Sequence, residues 1–255
     1  MESNFAAEHA AALLLAAWGP RGTPLAGWTE GLRPRSFPEA YAIQDAVTRS
    51  RGDWGGWKVG APSSEATPLC APMYTSGLAQ SPATLPDDDY RSRGIEAEVA
   101  FTFRHALPPR ARPYQRAEVL EAIGTAHAGL EVVESRYAEP AALDAFSAAA
   151  DSQGHRAYVL GPPLQEWRDL AWMSLPVALL VNGSPMLERL GGNTSGDLFR
   201  LLLWLANEGS VRLGGLRAGD VVTTGSYTGL TVVPPGAEVV ARFEGLGQSS
   251  LHFIR

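Results

Sequence analysis

The chain divides into a short stretch with helical spacing and a longer one built of brief apolar or alternating runs. Residues 5–18 are rich in Ala and Leu and stop at Gly19-Pro20, which predicts a helix. Ser36-Phe37-Pro38-Glu39 is a capping-box pattern with proline near the start, and Tyr41, Ile43, Gln44 and Val47 follow at loose helical spacing until Gly52. Beyond it, strands are predicted over residues 57–61, 95–103, 130–137, 157–160, 175–181, 186–189, 221–224, 238–243 and 250–254. Asn182-Gly183 is a strong hairpin signal between two of them. Helices are expected over 115–127, with Val119, Leu120 and Ile123 facing a core, and over 197–208, closed by Gly209. The fold class is therefore α+β, with a helical N-terminal cap over 1–52 and a β-rich body over 53–255. Strands and helices do not alternate regularly, which argues against a doubly wound parallel sheet.

Composition narrows the function classes. The 255 residues carry 21 Lys+Arg against 27 Asp+Glu, a net charge of -6, whereas nucleic-acid binding needs a basic face. The longest apolar stretches fall short of the roughly 20 residues of a membrane span. Glu2 and Glu8, with no Lys or Arg ahead of the apolar run, do not fit a signal peptide, so a cytoplasmic location is expected. The single cysteine, Cys70, excludes an intramolecular disulfide and a thiol-rich zinc site. Asp87-Asp88-Asp89 reads as a solvated turn. Trp54, Trp57, Trp167 and Trp172 are many large aromatics for this body, and they suggest subunit contacts and a homo-oligomer.

Candidate chemistry centres on Ile95-Glu96-Ala97-Glu98-Val99-Ala100-Phe101-Thr102-Phe103. Alternation puts Ile95, Ala97, Val99, Phe101 and Phe103 on one face and Glu96, Glu98, Ala100 and Thr102 on the other. The two carboxylates then lie roughly 7 Å apart along the strand. Like charges this close are unfavourable unless offset, and a hard divalent cation offsets them; a solvated strand face is the alternative that spacing leaves open. Glu131, in the apolar start of Leu130-Glu131-Val132-Val133, needs a partner if buried: a shared cation, or a salt bridge to Arg136 or Arg93. Lys58, between Trp57 and Val59, suits an anion or proton transfer if its pKa is lowered; a snorkelling lysine is the plainer reading. The tract Thr223-Thr224-Gly225-Ser226-Tyr227-Thr228-Gly229 is rich in hydroxyl and turn N–H donors of the kind that suit a carboxylate. No His-x-x-x-His, serine-nucleophile or phosphate-loop pattern occurs.

Taken in order, Tyr41-Ala42-Ile43-Gln44, Trp57-Lys58-Val59-Gly60, Ile95-Glu96-Ala97-Glu98, Glu131 through Tyr137, Tyr158-Val159-Leu160-Gly161, Leu203-Trp204-Leu205-Ala206-Asn207 and Ala218-Gly219-Asp220-Val221-Val222 through Ser226 resemble the fumarylacetoacetate hydrolase superfamily. The closer resemblance is to its 2-keto-4-pentenoate hydratase and oxalocrotonate decarboxylase branch. It implies a mixed β-roll body with an N-terminal helical cap. It implies Mg2+ or Mn2+ held by Glu96, Glu98 and Glu131, a small 2-oxo acid substrate and Lys58 as the catalytic lysine. Ser226 and Thr228, with His155, are the expected substrate contacts. The activity implied is a hydratase of aromatic catabolism acting on a 2-hydroxydienoate. A 2-oxo acid decarboxylase, an acylpyruvate-type hydrolase and a non-catalytic subunit of a pathway complex are the alternatives. Two segments depart from the branch. Pro72 through Gly77 replaces an Asp-Phe-Gly stretch, and Asp151-Ser152-Gln153-Gly154, followed by His155 and Arg156, replaces Asp-Asn-Ala-Ser.

Overall fold

The structure, a computed structural model, describes residues 2–255, with side chains from Ala7 onward. Helices α1 (Glu2–Ala16) and α2 (Phe37–Arg51) come first. The Ser36 hydroxyl accepts from the Glu39 N–H at 3.3 Å, and Gly52, at φ +91°, closes α2. Ala10 and Leu14 pack against Ile43 and Val47, and Tyr74 and Tyr137 join this apolar cluster.

The strands follow as β1 (Trp54–Gly60), β2 (Leu69–Tyr74), β3 (Leu78–Gln80), β4 (Ala83–Pro86) and β5 (Gly94–Phe103). After helix α3 (Arg116–Ala122) comes β6 (Ile123–Val133), then α4 (Ala145–Ala150), β7 (His155–Leu160), β8 (Pro176–Val181) and β9 (Ser184–Leu190). Helix α5 (Leu198–Trp204) runs on into a π-helical turn, Leu205–Gly209. Strands β10 (Val221–Ser226), β11 (Thr231–Val232), β12 (Glu238–Phe243) and β13 (Gly247–Ile254) complete the chain. One sheet has the order β2-β1-β10-β5-β6-β7-β3, with β11 added to β5; the other has the order β4-β13-β12-β8-β9. Both parallel and antiparallel pairs occur within each sheet. This is the expected α+β class.

The two sheets share one core. The apolar face of β5 (Ile95, Val99, Phe101 and Phe103) lies in it, as do Leu179, Val239, Phe243 and Phe253 of the second sheet. Each such side chain stabilises the fold by about 2 kcal/mol through area removed from water. Seating that face inward directs Glu96 and Glu98 to the other side, so the packing of the core orients the site.

Three expectations need correction. The helix expected over 115–127 ends at Ala122, and Ile123 onward is strand. Gln115 and Glu118 do cap the helix start. Past Ala122, however, β-branched Ile123 and Thr125 flank Gly124, and pairing along β5 outweighs weak helix propensity. Asp87 is not solvated but buried, and its carboxylate accepts from Arg93 at 2.5 Å. Trp57, Trp167 and Trp172 are buried in the chain's own core and are not free for a subunit contact; half-buried Trp54 packs under the Arg217 guanidinium, 4.5 Å from its ring centre.

Candidate active site

Strand register builds the site. Glu96 faces Glu131 directly across β5 and β6, and Glu98 faces Gly129. Ser226 of β10 lies opposite Glu98, and Lys58 of β1 sits beside Thr223 of β10. Two glutamates as direct antiparallel neighbours repel, so this pairing is unfavourable by itself. One carboxylate oxygen from each of Glu96, Glu98 and Glu131 can be chosen so that all lie within 4.8 Å of one another. Glycine at 129 is required here, because a side chain's first carbon would meet the Tyr158 hydroxyl at 2.0 Å.

Lys58 reaches Glu131 over two intervening strands. At about 4.8 Å per strand, a flat sheet would hold β1 and β6 roughly 14 Å apart. Yet Lys58 Nζ donates to Glu131 Oε1 at 2.7 Å and to Oε2 at 3.0 Å, so the sheet curls around the site. His155 Nδ1 donates to Glu131 Oε1 at 2.7 Å. The partners foreseen for Glu131 are engaged elsewhere: Arg136 pairs with Asp151 and Arg93 with Asp87.

The three carboxylates differ in their electrostatics. Burial pushes Glu131 up, but Lys58 and His155 prevail and hold it at about 2. Glu98, also fully buried, is pushed well above the usual range by burial and then by Glu131 and Glu96; the Thr223 hydroxyl, which donates to it, offsets this only in part. Glu96 is raised by burial and by Glu131, against Lys58 and the nearby Ser226 hydroxyl. Burial pulls Lys58 down, yet the three carboxylates raise it, so it stands as an ammonium. The lowered lysine pKa on which a role in proton abstraction was conditional is therefore not found. An all-oxygen donor set of three glutamates, two of them without a cation of their own, fits a hard divalent ion.

These residues open onto a cavity of about 600 Å³, a size suited to a small ligand. Lys58, Glu96, Glu98, Glu131, Ser226 and Thr228 all line it. The turn donors, however, are largely spent inside the protein. The Ser226 hydroxyl oxygen accepts from the N–H groups of Thr228 and Gly229. The Thr228 hydroxyl accepts from Ala97 N–H and donates to the Gly229 carbonyl, so it braces β5 rather than offering a free donor. His155 is not on the cavity wall; it is buried behind Glu131, 1% exposed.

Several cavity residues escaped the sequence reading, Asn193 and Thr194 among them, and two more bring long polar side chains. Gln153 reaches the wall from the departing segment 151–156, in left-handed backbone at φ +53°. Arg189 reaches it from β9, in the second sheet. The other departing segment contributes nothing to the cavity: Pro72 pairs with Trp57 in β2, and residues 75–77 form a short turn.

Residues 59–253 match the family described as fumarylacetoacetate (FAA) hydrolase C-terminal. The chain is 28% identical to a 2-keto-4-pentenoate hydratase 2 of Dechloromonas aromatica, across 99% of this chain and all of that one. It is 27% identical to a 4-oxalocrotonate decarboxylase of Pseudomonas putida over 86% of each chain. Among solved structures, the 4-oxalocrotonate decarboxylase from Pseudomonas putida G7, complexed with magnesium and adipate, superposes with a TM-score of 0.82 at 23% identity, covering 99% of this chain and 97% of that one. The chain belongs to the fumarylacetoacetate hydrolase C-terminal family.

Proposed function

We propose that this chain is a divalent-metal-dependent hydro-lyase that hydrates a 2-hydroxydienoate, a 2-keto-4-pentenoate-type acid, in the breakdown of aromatic compounds. The observation that carries the reading is the Glu96–Glu98–Glu131 group, two of its members buried and Glu96 half-buried, an excess of negative charge facing a ligand-sized cavity beside Lys58. The full-length similarity to the hydratase of Dechloromonas aromatica supports the choice of reaction. We further propose a homo-oligomer working in the cytoplasm, a reading consistent with the described residues, in which no helix is long and apolar enough to cross a membrane.

In this mechanism Glu96, Glu98 and Glu131 would hold Mg2+ or Mn2+. When bound, such an ion supplies Lewis-acid polarisation of a 2-oxygen and stabilises enolate charge. The chain's own residues do the rest. Lys58 keeps a proton at Nζ beyond the two hydrogen bonds it gives Glu131, and it is placed to deliver that proton into the cavity. His155 fixes the Glu131 carboxylate from behind and sets its own tautomer by doing so. The Ser226 hydroxyl sits beside Glu96 and works against the net rise that burial and Glu131 impose on it, which favours the ionised ligand.

Decarboxylation of a 2-oxo acid is the second reading, supported by similarity of comparable degree to the decarboxylase of Pseudomonas putida. Purified protein with magnesium and 2-hydroxypenta-2,4-dienoate tests the first. Loss of substrate absorbance above the spontaneous rate is expected, and its absence together with carbon dioxide release from 2-oxo-3-hexenedioate would move the assignment to the second.

A further inference from the structure

Of the neutral polar side chains on the cavity wall, all but Gln153 are bonded inside the protein. Asn193 Nδ2 donates to the Thr224 and Gly225 carbonyls at 2.8 and 3.1 Å, and Asn193 Oδ1 accepts from the Ser195 N–H at 2.9 Å. The Thr194 hydroxyl donates to the Ala61 carbonyl at 2.7 Å, and the Thr224 hydroxyl to the Val99 carbonyl at 2.9 Å. Ser226 and Thr228 are held within their own turn and against β5. The Gln153 amide makes no side-chain hydrogen bond among the described residues.

Gln153 is held at the wall by a backbone that its side chain does not favour. Ser152 and Gln153 stand at φ +52° and +53°, followed by Gly154 at +75°. Left-handed backbone suits glycine rather than a long side chain, and such strain persists only where the surroundings fix it. Here the Gly154 N–H donates to the Asp151 carbonyl at 3.0 Å, and the Gly154 carbonyl accepts from the Glu134 N–H at 2.7 Å. Asp151 is pinned in turn by Arg136 and by the Ser135 hydroxyl. A first side-chain carbon built on Gly154 would stand 2.9 Å from Cγ1 of Val133. Val133 follows Glu131 by two residues in β6, so it shares that face of the strand, roughly 7 Å further along. The turn that carries Gln153 therefore rests on the carboxylate face of β6, beyond the glutamates. That offset sets its amide toward the tail of a short acid whose other end is at Glu131. An amide has both donor and acceptor and no charge, so it matches a hydroxyl or a water rather than a carboxylate.

We propose that Gln153 is a specificity-determining residue that binds a hydroxyl two carbons beyond the 2-oxo group, the C4 hydroxyl that hydration of a 2-hydroxydienoate leaves on the product. The inference rests on the reading above, in which the 2-oxo acid end lies at Glu96, Glu98 and Glu131. It adds the residue that recognises the opposite end of the same monocarboxylic ligand.

The test is a set of equilibrium titrations with 2-oxopentanoate and with each enantiomer of 4-hydroxy-2-oxopentanoate, which differ from it only in the C4 hydroxyl. Each is run against wild-type protein, Gln153→Met and Gln153→Gly, with saturating magnesium and again without it. Wild type with magnesium should bind one enantiomer about fivefold more tightly than 2-oxopentanoate. Gln153→Met, which fills similar space without an amide, should erase that margin while leaving 2-oxopentanoate affinity within about twofold. Gln153→Gly should erase it too, yet unfold in denaturant at a midpoint no lower than wild type, because glycine suits φ +53°. Equal binding of the hydroxylated and plain acids by wild type, or a margin kept by Gln153→Met, overturns the assignment of Gln153. So does an equal loss of all the acids in both variants. Binding of every acid that ignores magnesium overturns the metal reading instead, and the wild-type and Gln153→Met comparison still decides Gln153. No binding of any acid in any form overturns both.

Discussion

Glu131 and Glu134 stand three residues apart, at and just beyond the end of β6, and both are buried. Their surroundings are opposite in kind. Glu134 takes an ion pair from Arg91 at 3.0 Å and the Arg91 backbone N–H at 3.0 Å. Next to it, Arg136 is paired with Asp151 and also donates to the Glu134 and His155 carbonyls. Each of these acids has its own cation. Glu131 has Lys58 and His155 but shares its face with Glu96 and Glu98, so that group is short of positive charge. A buried ion pair with its remaining hydrogen bonds satisfied holds a fold in one arrangement, whereas a buried surplus of like charge is a cost that a bound cation removes. Charge balance thus separates the two clusters where burial does not.

Breaking each cluster in turn tests the distinction. The largest effect is expected from Glu98→Gln, which removes one of three anionic ligands and should reduce magnesium-dependent turnover to background; an assay at saturating magnesium checks it. Next is Arg136→Met. It leaves Asp151 buried without a cation and should cost about 3–5 kcal/mol in denaturant unfolding, with no recovery on adding magnesium. Glu98→Gln, measured without metal, should unfold at a midpoint no lower than wild type, because it takes away a repelled, desolvated acid. Opposite stability outcomes for two buried charge changes would be the clearest sign that the clusters differ in kind.

The smallest effect belongs to a surface control. Asp144 caps α4, accepting from the Phe146 and Ser147 N–H groups at 3.0 and 2.9 Å, and pairs with Arg33 at 2.7 Å. Burial pushes it up, but the bonds from Ser147 and Arg33 hold it at about 2. Asp144→Ala should cost about 1 kcal/mol at neutral pH. Because the folded pKa is depressed, that contribution is present above the unfolded pKa of about 3.9 and fades as pH falls toward 2. The two proteins' unfolding midpoints should therefore converge over that window.

Much of the site was legible in the sequence, for reasons that can be named. Strict alternation from Ile95 to Phe103 announced both the core face and the carboxylate face, because strand geometry leaves no other choice. Glu131 stood out as an acid in an apolar run. The first half of β6 was hidden, because the residues around Val119, Leu120 and Ile123 also fit a helical face and only pairing with β5 decides. His155 was expected as a substrate contact; its place behind Glu131 depends on the β6–β7 register, which no local pattern encodes. The Thr228 donors looked available because a list of hydroxyls does not say which are already bonded. Arg189 carried no signal, since it enters the cavity from β9 in the other sheet, while Gln153 lay in a segment marked only as departing from the branch.

The central claim is that Glu96, Glu98 and Glu131 form one cation site whose charge surplus sets it apart from the Arg136 cluster. Calorimetric titration of magnesium into metal-free protein tests it most directly, with Glu98→Gln and Arg136→Lys run alongside. The account predicts one ion per chain in wild type and in Arg136→Lys, and an affinity at least about tenfold weaker in Glu98→Gln. Undiminished magnesium binding by Glu98→Gln would contradict it.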